Sequence, residues 1–239
     1  MLVKFSLVIP TYNEKANLPE LYEKLVSVLD SLSFDYEIII VDDDSPDMTW
    51  SIAEDLAKQD KRVKVIRRRH QRGLASAVLS GWASSRGEIL GVIDADMQHP
   101  PEIISNMLKM ILYDNKIDIV IASRYVKGGR VLNQSCWQVI KSRLAFLLGR
   151  LLIPKIFKSV KDPLSGYFIL RREIVEAKQL SPIGYKVLLE VLAKCSYKNI
   201  LEIPFIFTQR RKGRSKANWV QYFISLLHFV KLRLLGNIW

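Results

Sequence analysis

Apolar positions along this chain recur with two different periods, and the switches between them mark out its elements. Residues 17–32, NLPELYEKLVSVLDSL, set Leu18, Leu21, Leu25 and Leu29 three and four apart, which predicts an amphipathic helix. YEIIIVD (36–42) is instead an unbroken apolar run of strand length, as in strands covered on both faces. The two patterns then repeat. VKFSLVI (3–9) predicts a first strand stopped by Pro10, MTWSIAEDLAKQ (48–59) a helix, and RVKVIR (62–67) a short strand. LASAVLSGWASS (74–85) predicts a helix of small residues and EILGVID (88–94) another strand. PEIISNMLKMIL (101–112) predicts a helix opened by proline, and IDIVIAS (117–123) a fifth strand. Such alternation points to the α/β class: a mostly parallel sheet with helices on both faces.

Open sheets of this kind bind ligands at the carboxyl ends of their strands. Polar clusters fall at four of those ends: Thr11–Glu14, Asp42–Asp47, Asp94–Gln98 and Arg124. Beyond residue 130 the pattern loosens. A basic amphipathic helix over about 137–152 is followed by DPLSGYFILRR (162–172), a helix near 184–196 and the strand-like ILEIPFIF (200–207). The loop TQRRKGRSKAN (208–218) and a last amphipathic helix close the chain. No internal repeat or linker divides it, so one domain with a C-terminal extension is expected.

At 239 residues, the chain is long enough for one substantial α/β core. Charge sharpens the picture once it is divided. Up to residue 138 there are 17 Lys/Arg against 19 Asp/Glu, a net of −2; from 139 on there are 19 against 5, a net of +14. A basic half suits nucleic acid, anionic lipid or a phosphorylated substrate. Cys136 and Cys195 stand in no motif spacing and read as reduced thiols. The first residues read as a strand containing Lys4 and not as a leader. LAFLLGRLLIPKIF (144–157) and WVQYFISLLHFVKLRLL (219–235) are rich in Leu and Phe, but Arg150, Lys155, Lys231 and Arg233 interrupt them. They suit helices lying in a membrane interface, or helices packed on the protein's own core, and not membrane-crossing helices.

The aspartate pair in DADMQ (94–98) carries the sharpest chemistry. Two like charges at the end of a buried strand cost free energy unless a cation offsets them. Residues i and i+2 of a strand share a face, so Asp94 and Asp96 are expected to point together, with Gln98 as a further oxygen donor. A lone D-x-D serves equally as a loop cap. At a central strand end, facing a basic half-chain, it reads as a site for Mg²⁺ or Mn²⁺ shared with substrate phosphates. VDDDSPD (41–47) offers carboxylates suited to ribose hydroxyls or base N–H groups; Asp44 and Asp47 serve equally well as turn and helix-capping residues. No glycine-rich dinucleotide fingerprint follows the first strand and no P-loop occurs, which disfavours both cofactor classes. The three histidines have no catalytic setting, His99 reading as structural and RRRHQR (67–72) as a solvated loop.

IPTYNE (9–14), VDDDSPD (41–47), DADMQHPPE (94–102), ASRYVKGG (122–129), DPLSGYF (162–168), GYKVLLEVL (184–192) and RRKGRSK (210–216), in this order, resemble the dolichyl-phosphate mannose synthases. These are inverting family-2 glycosyltransferases of the GT-A fold. The resemblance implies that Pro10, Tyr12, Glu14, Val41 and Asp43 hold the nucleoside of GDP-mannose. It implies that Asp94, Asp96 and Gln98 bind Mg²⁺ or Mn²⁺ bridging the donor diphosphate, with Ala95 lining the same site. Arg124 and Ser142 would receive the phosphate of a dolichyl or other polyprenyl acceptor, beside Gln138, which stands where the family carries a further arginine. Lys186, Arg210 and Lys216 would meet the donor's phosphates and sugar as the 208–218 loop closes, and Asp96, Arg124 and Ser142 would carry the catalysis.

The expectation is therefore a GT-A domain over 1–216 and an amphipathic membrane-interface helix over 217–239. It would transfer mannose from GDP-mannose to dolichyl phosphate with inversion, for protein glycosylation, peripherally at the cytoplasmic face of a membrane. A membrane-anchoring partner subunit, or a transmembrane segment outside this sequence, would fit the same picture. The nearest alternative is polyprenyl-phosphate glucosyl transfer from UDP-glucose or another nucleotide sugar. A nucleic-acid-binding module accounts for the charge but not for acidic strand ends, which repel phosphate unless a metal intervenes, so no nucleic-acid partner is expected.

Overall fold

The computed structural model of the chain describes residues 3–132, 136–176, 178–208 and 219–235. The elements run β1 (Phe5–Thr11), α1 (Leu18–Leu29), β2 (Tyr36–Asp42), α2 (Thr49–Gln59), β3 (Val63–Arg67), α3 (Leu74–Ala83), β4 (Ile89–Val92), α4 (Ile103–Tyr113) and β5 (Ile117–Ser123). They continue with β6 (Arg130–Val131), α5 (Cys136–Leu152), α6 (Pro154–Ser159), β7 (Phe168–Arg171), α7 (Glu173–Glu176), α8 (Val187–Lys194), β8 (Asn199–Pro204), β9 (Ile206–Phe207) and α9 (Trp219–Leu235). Among these residues one seven-stranded sheet has the order β3-β2-β1-β4-β7-β5-β8, and β6 pairs with β9 beside it.

The two-residue period of the strands divides the core into two layers. Phe5, Leu7 and Ile9 of β1 and Ile38 and Ile40 of β2 point to one face, where the leucines of α1 meet Ile104, Met107, Leu108 and Ile111 of α4. Val8, Ile39 and Val41 point to the other, covered by α3, α6, α8 and α9. The four α1 leucines are all fully buried, each contributing about 1.5–3 kcal/mol through removal from water. Small residues in α3 let that helix sit close to the sheet. A Cβ added at Gly81 would stand 2.6 Å from Val8 Cγ1.

Two predicted boundaries move. β1 does not stop at Pro10 but runs on to Thr11, with Pro10 opposite Val41 and Thr11 opposite Asp42. Val8 O accepts from Ile93 N, so Pro10, two residues on, turns its ring nitrogen toward the β4 side. β4 has already ended at Val92, and no ladder bond is lost. β4 is itself shorter than EILGVID, because its ladders to β1 and to β7 both end at Val92.

The chain departs from simple alternation at β7, an antiparallel strand inserted between β4 and β5. An antiparallel strand enters the sheet where its neighbours leave it. Residues 162–167 are thereby delivered to the carboxyl ends of β4 and β5. The strand order also reverses at β1, which lies between β2 and β4, making the β1/β4 boundary the switch point at which such sheets bind ligands.

Candidate active site

Strained backbone marks the site. Among the described residues the non-glycine positions with positive φ are Asn13 (53°), Asp44 (53°), Met48 (64°) and Met97 (61°). All follow the carboxyl ends of β1, β2 or β4. Left-handed backbone at such residues costs free energy and persists where surrounding contacts impose it.

After β1, buried Glu14 accepts a bond from Asn17 Nδ2 (2.7 Å), and its amide donates to Thr49 Oγ1 (3.0 Å). Tyr12 lies beneath the Arg72 guanidinium, 5.2 Å from ring centroid to Cζ. Pro10 and Val41 are buried opposite each other at the end of the β1/β2 ladder. Buried Asp43 accepts from Arg68 Nε (2.7 Å) and from the Gly73 amide (2.7 Å), and Arg68 reaches on to Ser76 Oγ (2.9 Å). This carboxylate pins the start of α3, whose Ala75 amide donates to Gly184 O (3.3 Å), two residues before Lys186.

The turn and cap reading applies to the remaining acids of VDDDSPD. Asp42 takes Thr11 Oγ1 (2.8 Å), Ser45 Oγ (2.7 Å) and Ser45 N (2.8 Å), and Asp47 accepts from Thr49 N (3.0 Å) at the start of α2. Asp44 binds Arg67 Nε at 2.6 Å, and that guanidinium lies 3.6 Å over the Trp50 ring. The solvated loop expected over 67–72 is accordingly only partly so. Arg67 and Arg68 face carboxylates of the β2 end that no local pattern pairs with them.

The DADMQ stretch does not lie on a strand. Asp94, Ala95 and Asp96 occupy the turn after β4, so the shared-face reasoning gives way to a turn closed by Gln98 N on Asp96 Oδ1 (3.1 Å). Thr208 clamps it from beyond β9: its amide donates to Gln98 O (3.3 Å), and Gln98 Nε2 donates to Thr208 O (3.0 Å). Ala95 and Asp96 are buried, Asp94 half-buried. A Cβ at Gly166 would stand 2.5 Å from Asp94 Oδ2, so β7's entry loop packs directly against this carboxylate, and any larger residue there would push the carboxylate aside.

Two cations face these acids. Arg124, after β5, gives Nε to Asp162 Oδ2 (2.7 Å) and Nη2 to Asp162 Oδ1 (2.7 Å). Burial opposes its charge, but Asp162 outweighs burial and raises its pKa further. Lys186, just before α8, gives Nζ to Leu164 O (2.9 Å). Loss of solvent and then the Arg124 charge lower its pKa, against the pull of Asp94 and Asp162. Ser142 on α5 meets Tyr125 Oη at 3.1 Å, next to Arg124 in sequence. His99 stacks on Phe205 (5.4 Å) and packs edge-on against Tyr167 and Phe207. Burial, then the Arg124 charge, push its pKa down to about 3, so it is a neutral aromatic of the core.

The structure thus gathers Pro10, Tyr12, Glu14, Val41 and Asp43 on the β1/β2 side and Asp94, Ala95, Asp96, Gln98, Arg124, Ser142 and Lys186 on the β4/β5 side. The Gln138 side chain, Arg210, Lys216 and the rest of the 209–218 stretch lie outside the described residues. Sequence reasoning gave no role to Asp162, Gly166 or Thr208. Asp162 and Gly166 stand inside the quoted DPLSGYF, but their contacts are long-range.

The donor set fits a hard divalent cation. Gln98 commits its amide nitrogen to Thr208 O, which leaves Oε1 as a neutral acceptor in the same turn as Asp94 and Asp96. Among the described residues no group of three or more His, Cys, Asp or Glu forms a closed cage. An incomplete oxygen set is what Mg²⁺ or Mn²⁺ completes with substrate phosphates and water.

The sequence matches the model of glycosyl transferase family 2 over residues 6–177. It is 46% identical over 230 residues to a dolichol-phosphate mannosyltransferase of Pyrococcus furiosus, covering 96% of this chain and 64% of that one. The chain thus spans less than two thirds of that relative's length. It is 32% identical to the dolichol-phosphate mannosyltransferase of Saccharomyces cerevisiae, covering 91% of this chain and 82% of the other. Among solved structures it resembles glucosyl-3-phosphoglycerate synthase of Mycobacterium tuberculosis, determined with Mn²⁺, UDP and glucosyl-3-phosphoglycerate. That match has a TM-score of 0.70 at 20% identity and covers 97% of this chain and 79% of that one.

Proposed function

This chain belongs to glycosyl transferase family 2, and from that premise we propose that it transfers mannose from GDP-mannose to a dolichyl or other polyprenyl phosphate, with inversion. The observation that carries the reading is the pair of half-buried cations, Arg124 and Lys186, that flank the loop carrying Asp162 and Leu164 at the carboxyl ends of β4 and β5. Asp162 holds the Arg124 guanidinium at 2.7 Å and Leu164 O holds Lys186 Nζ at 2.9 Å, so two fixed positive charges stand where two anionic substrates would meet.

An acceptor phosphate is already anionic at neutral pH and needs no strong general base. One of its oxygens forms the new bond to the sugar's anomeric carbon from the face opposite the leaving group, while the bond from that carbon to the GDP oxygen breaks. The work left to the protein is to orient two anions and balance charge. Tyr12, Glu14 and Asp43, with Pro10 and Val41, line the nucleoside side. Asp94, Asp96 and Gln98 Oε1 would hold Mg²⁺ or Mn²⁺, which when bound neutralises the departing diphosphate. Arg124 with Ser142 meets the acceptor phosphate, and Lys186 meets the donor.

We place the protein at the cytoplasmic face of a membrane. Leu144, Leu147 and Leu151 of α5, and Leu227, Val230 and Leu234 of α9, are exposed at intervals of three and four. Exposed Arg143, Arg150, Lys155, Lys158 and Arg233 belong to the same helical region, suiting an anionic lipid surface. α9 also has a core-facing side: His228, Phe229 and Leu232 are buried. No helix among the described residues is long and apolar enough to cross a membrane.

The test is transfer of radiolabelled sugar from GDP-mannose and from UDP-glucose to a polyprenyl phosphate, with and without Mn²⁺. Product from GDP-mannose and none from UDP-glucose is expected; the reverse sinks the donor assignment. Asp96→Ala should abolish transfer with the fold intact, and activity within about tenfold of wild type in saturating Mn²⁺ would remove the metal from the reading.

A further inference from the structure

We propose that Asp162, a residue with no substrate contact of its own, is the positioning residue that aims Arg124 at the acceptor phosphate. The inference rests on the transferase reading above and deepens it. Asp162 is fully buried and makes three bonds to one partner. Its Oδ2 accepts from Arg124 Nε (2.7 Å) and from the Arg124 backbone amide (3.0 Å), while Oδ1 accepts from Nη2 (2.7 Å). Side chain and main chain of Arg124 are therefore held by the same carboxylate. Two rotations that would swing a guanidinium away from its target, at the backbone and along the side chain, are blocked together.

The contact uses one edge of a two-edged group. A guanidinium offers a side edge, Nε with Nη2, and an end edge, Nη1 with Nη2; each matches a pair of oxygens. Asp162 takes the side edge. Among the described residues no acceptor takes the Nη1 hydrogens, so the end edge remains for two oxygens of a phosphate. The rings of Tyr125 and Phe207, 5.2 and 5.5 Å from Arg124 Cζ, flank the guanidinium.

Asp162 is itself held. Its amide donates to Glu202 Oε1 (2.9 Å), and the Lys161 amide donates to Glu202 Oε2 (2.7 Å). Glu202 lies on β8 in register with Ile121 of β5. The guanidinium is thus tied to the pairing of β5 with β8 by Glu202, the 161–162 main chain and Asp162 in turn. A buried ion pair is a weak source of net stability, since desolvation offsets most of its attraction. Its use here is orientation. Asp162 is no candidate for a general base, as both its oxygens are engaged by Arg124 and the acceptor phosphate needs none.

The test is steady-state kinetics of Asp162→Asn with GDP-mannose and a polyprenyl phosphate, beside wild type and Arg124→Ala. Asparagine keeps the shape but turns an NH₂ toward the guanidinium, freeing Arg124 to swing. Because misplacement by about an ångström costs about 10²-fold, kcat/KM for the acceptor should fall by roughly 50-fold or more, with the GDP-mannose KM within about threefold of wild type. Added to Arg124→Ala, the change should cost less than about threefold more, since the residue it positions has gone. Acceptor kcat/KM within about threefold of wild type, or equal loss toward donor and acceptor, overturns the proposal and reduces Asp162 to a structural residue. Should Asp162→Asn fail to fold, Glu202→Gln, which keeps one acceptor for the two amides, must show the same split at smaller size or the proposal fails. If wild type transfers nothing to polyprenyl phosphate, the transferase reading fails and takes this inference with it. An active wild type with an indifferent Asp162→Asn defeats the inference alone.

Discussion

Replacing Gly166 with alanine should separate activity from stability. The new Cβ would stand 2.5 Å from Asp94 Oδ2, 3.2 Å from its Cγ and 3.4 Å from Oδ1. Moving Oδ2 from 2.5 Å out to the 3.4 Å at which ordinary contact begins is a retreat of about 0.9 Å. The loop has little room to yield instead. Ser165 Oγ is tied to Ala122 O at 2.7 Å and accepts from the amide of fully buried Tyr167 at 3.2 Å. Metal–ligand distances tolerate only about 0.2 Å, so a carboxylate displaced that far no longer completes a cation's shell. A misplacement of about 1 Å commonly costs about 10²-fold in rate, or about 2.7 kcal/mol of transition-state stabilisation. Gly166 has no positive φ, so alanine adds no backbone strain and restricts the unfolded chain, a gain of about 0.4–1 kcal/mol that partly offsets the overlap. Thermal melts and Mn²⁺ titrations of transfer on one preparation make the comparison. Tm should move by only a few degrees, while kcat/KM falls by about 10²-fold and the Mn²⁺ requirement rises. Activity within about threefold of wild type, or a collapse of Tm that parallels the loss of rate, would refute the close-wall reasoning.

Two further outcomes follow from the packing of α9. Glu190 on α8 is fully buried, accepts from His228 Nε2 of α9 at 2.7 Å and pairs with Lys194 at 2.5 Å. Burial raises its pKa, but His228, Lys194 and the Ser181 amide outweigh burial and hold it at about 2, against the ordinary 4.5. A depressed carboxylate stabilises the fold above its unfolded pKa, and that contribution drains away as pH falls from about 4.5 toward 2. Glu190→Gln should therefore lower Tm at neutral pH and flatten its decline in that acid window; an unchanged acid limb would show that the pair carries no such linkage. Leu147→Asp with Leu234→Asp, at positions 64% and 77% exposed, should weaken cosedimentation with anionic vesicles by about tenfold or more while turnover of a short soluble acceptor stays within about twofold. Equal losses in both assays would make these leucines part of the fold's own packing and end the lipid assignment.

Much of the architecture lay in local pattern. The leucine spacing of α1, the continuous run of β2 and the helix of small residues at α3 each record which faces are covered, because burial selects side chains at the period of the element. The carboxyl ends of β1, β2, β4 and β5 could be located the same way, and with them Asp94, Asp96 and Arg124. Local pattern was silent where a short strand had to choose neighbours. FILR (168–171) carries no mark of running antiparallel between β4 and β5, since direction is decided by which free edges the rest of the sheet leaves. That choice delivers Gly166 to Asp94 and Asp162 to Arg124 across 38 positions of chain. It was likewise tertiary packing that drew Arg68 out of an apparently solvated basic run and buried it against Asp43, 25 residues away. Periodicity reports the environment of a side chain, buried or wet, on one face or the other. It does not report the identity of the neighbour, and the aim of Arg124 and the wall behind Asp94 are questions of neighbours.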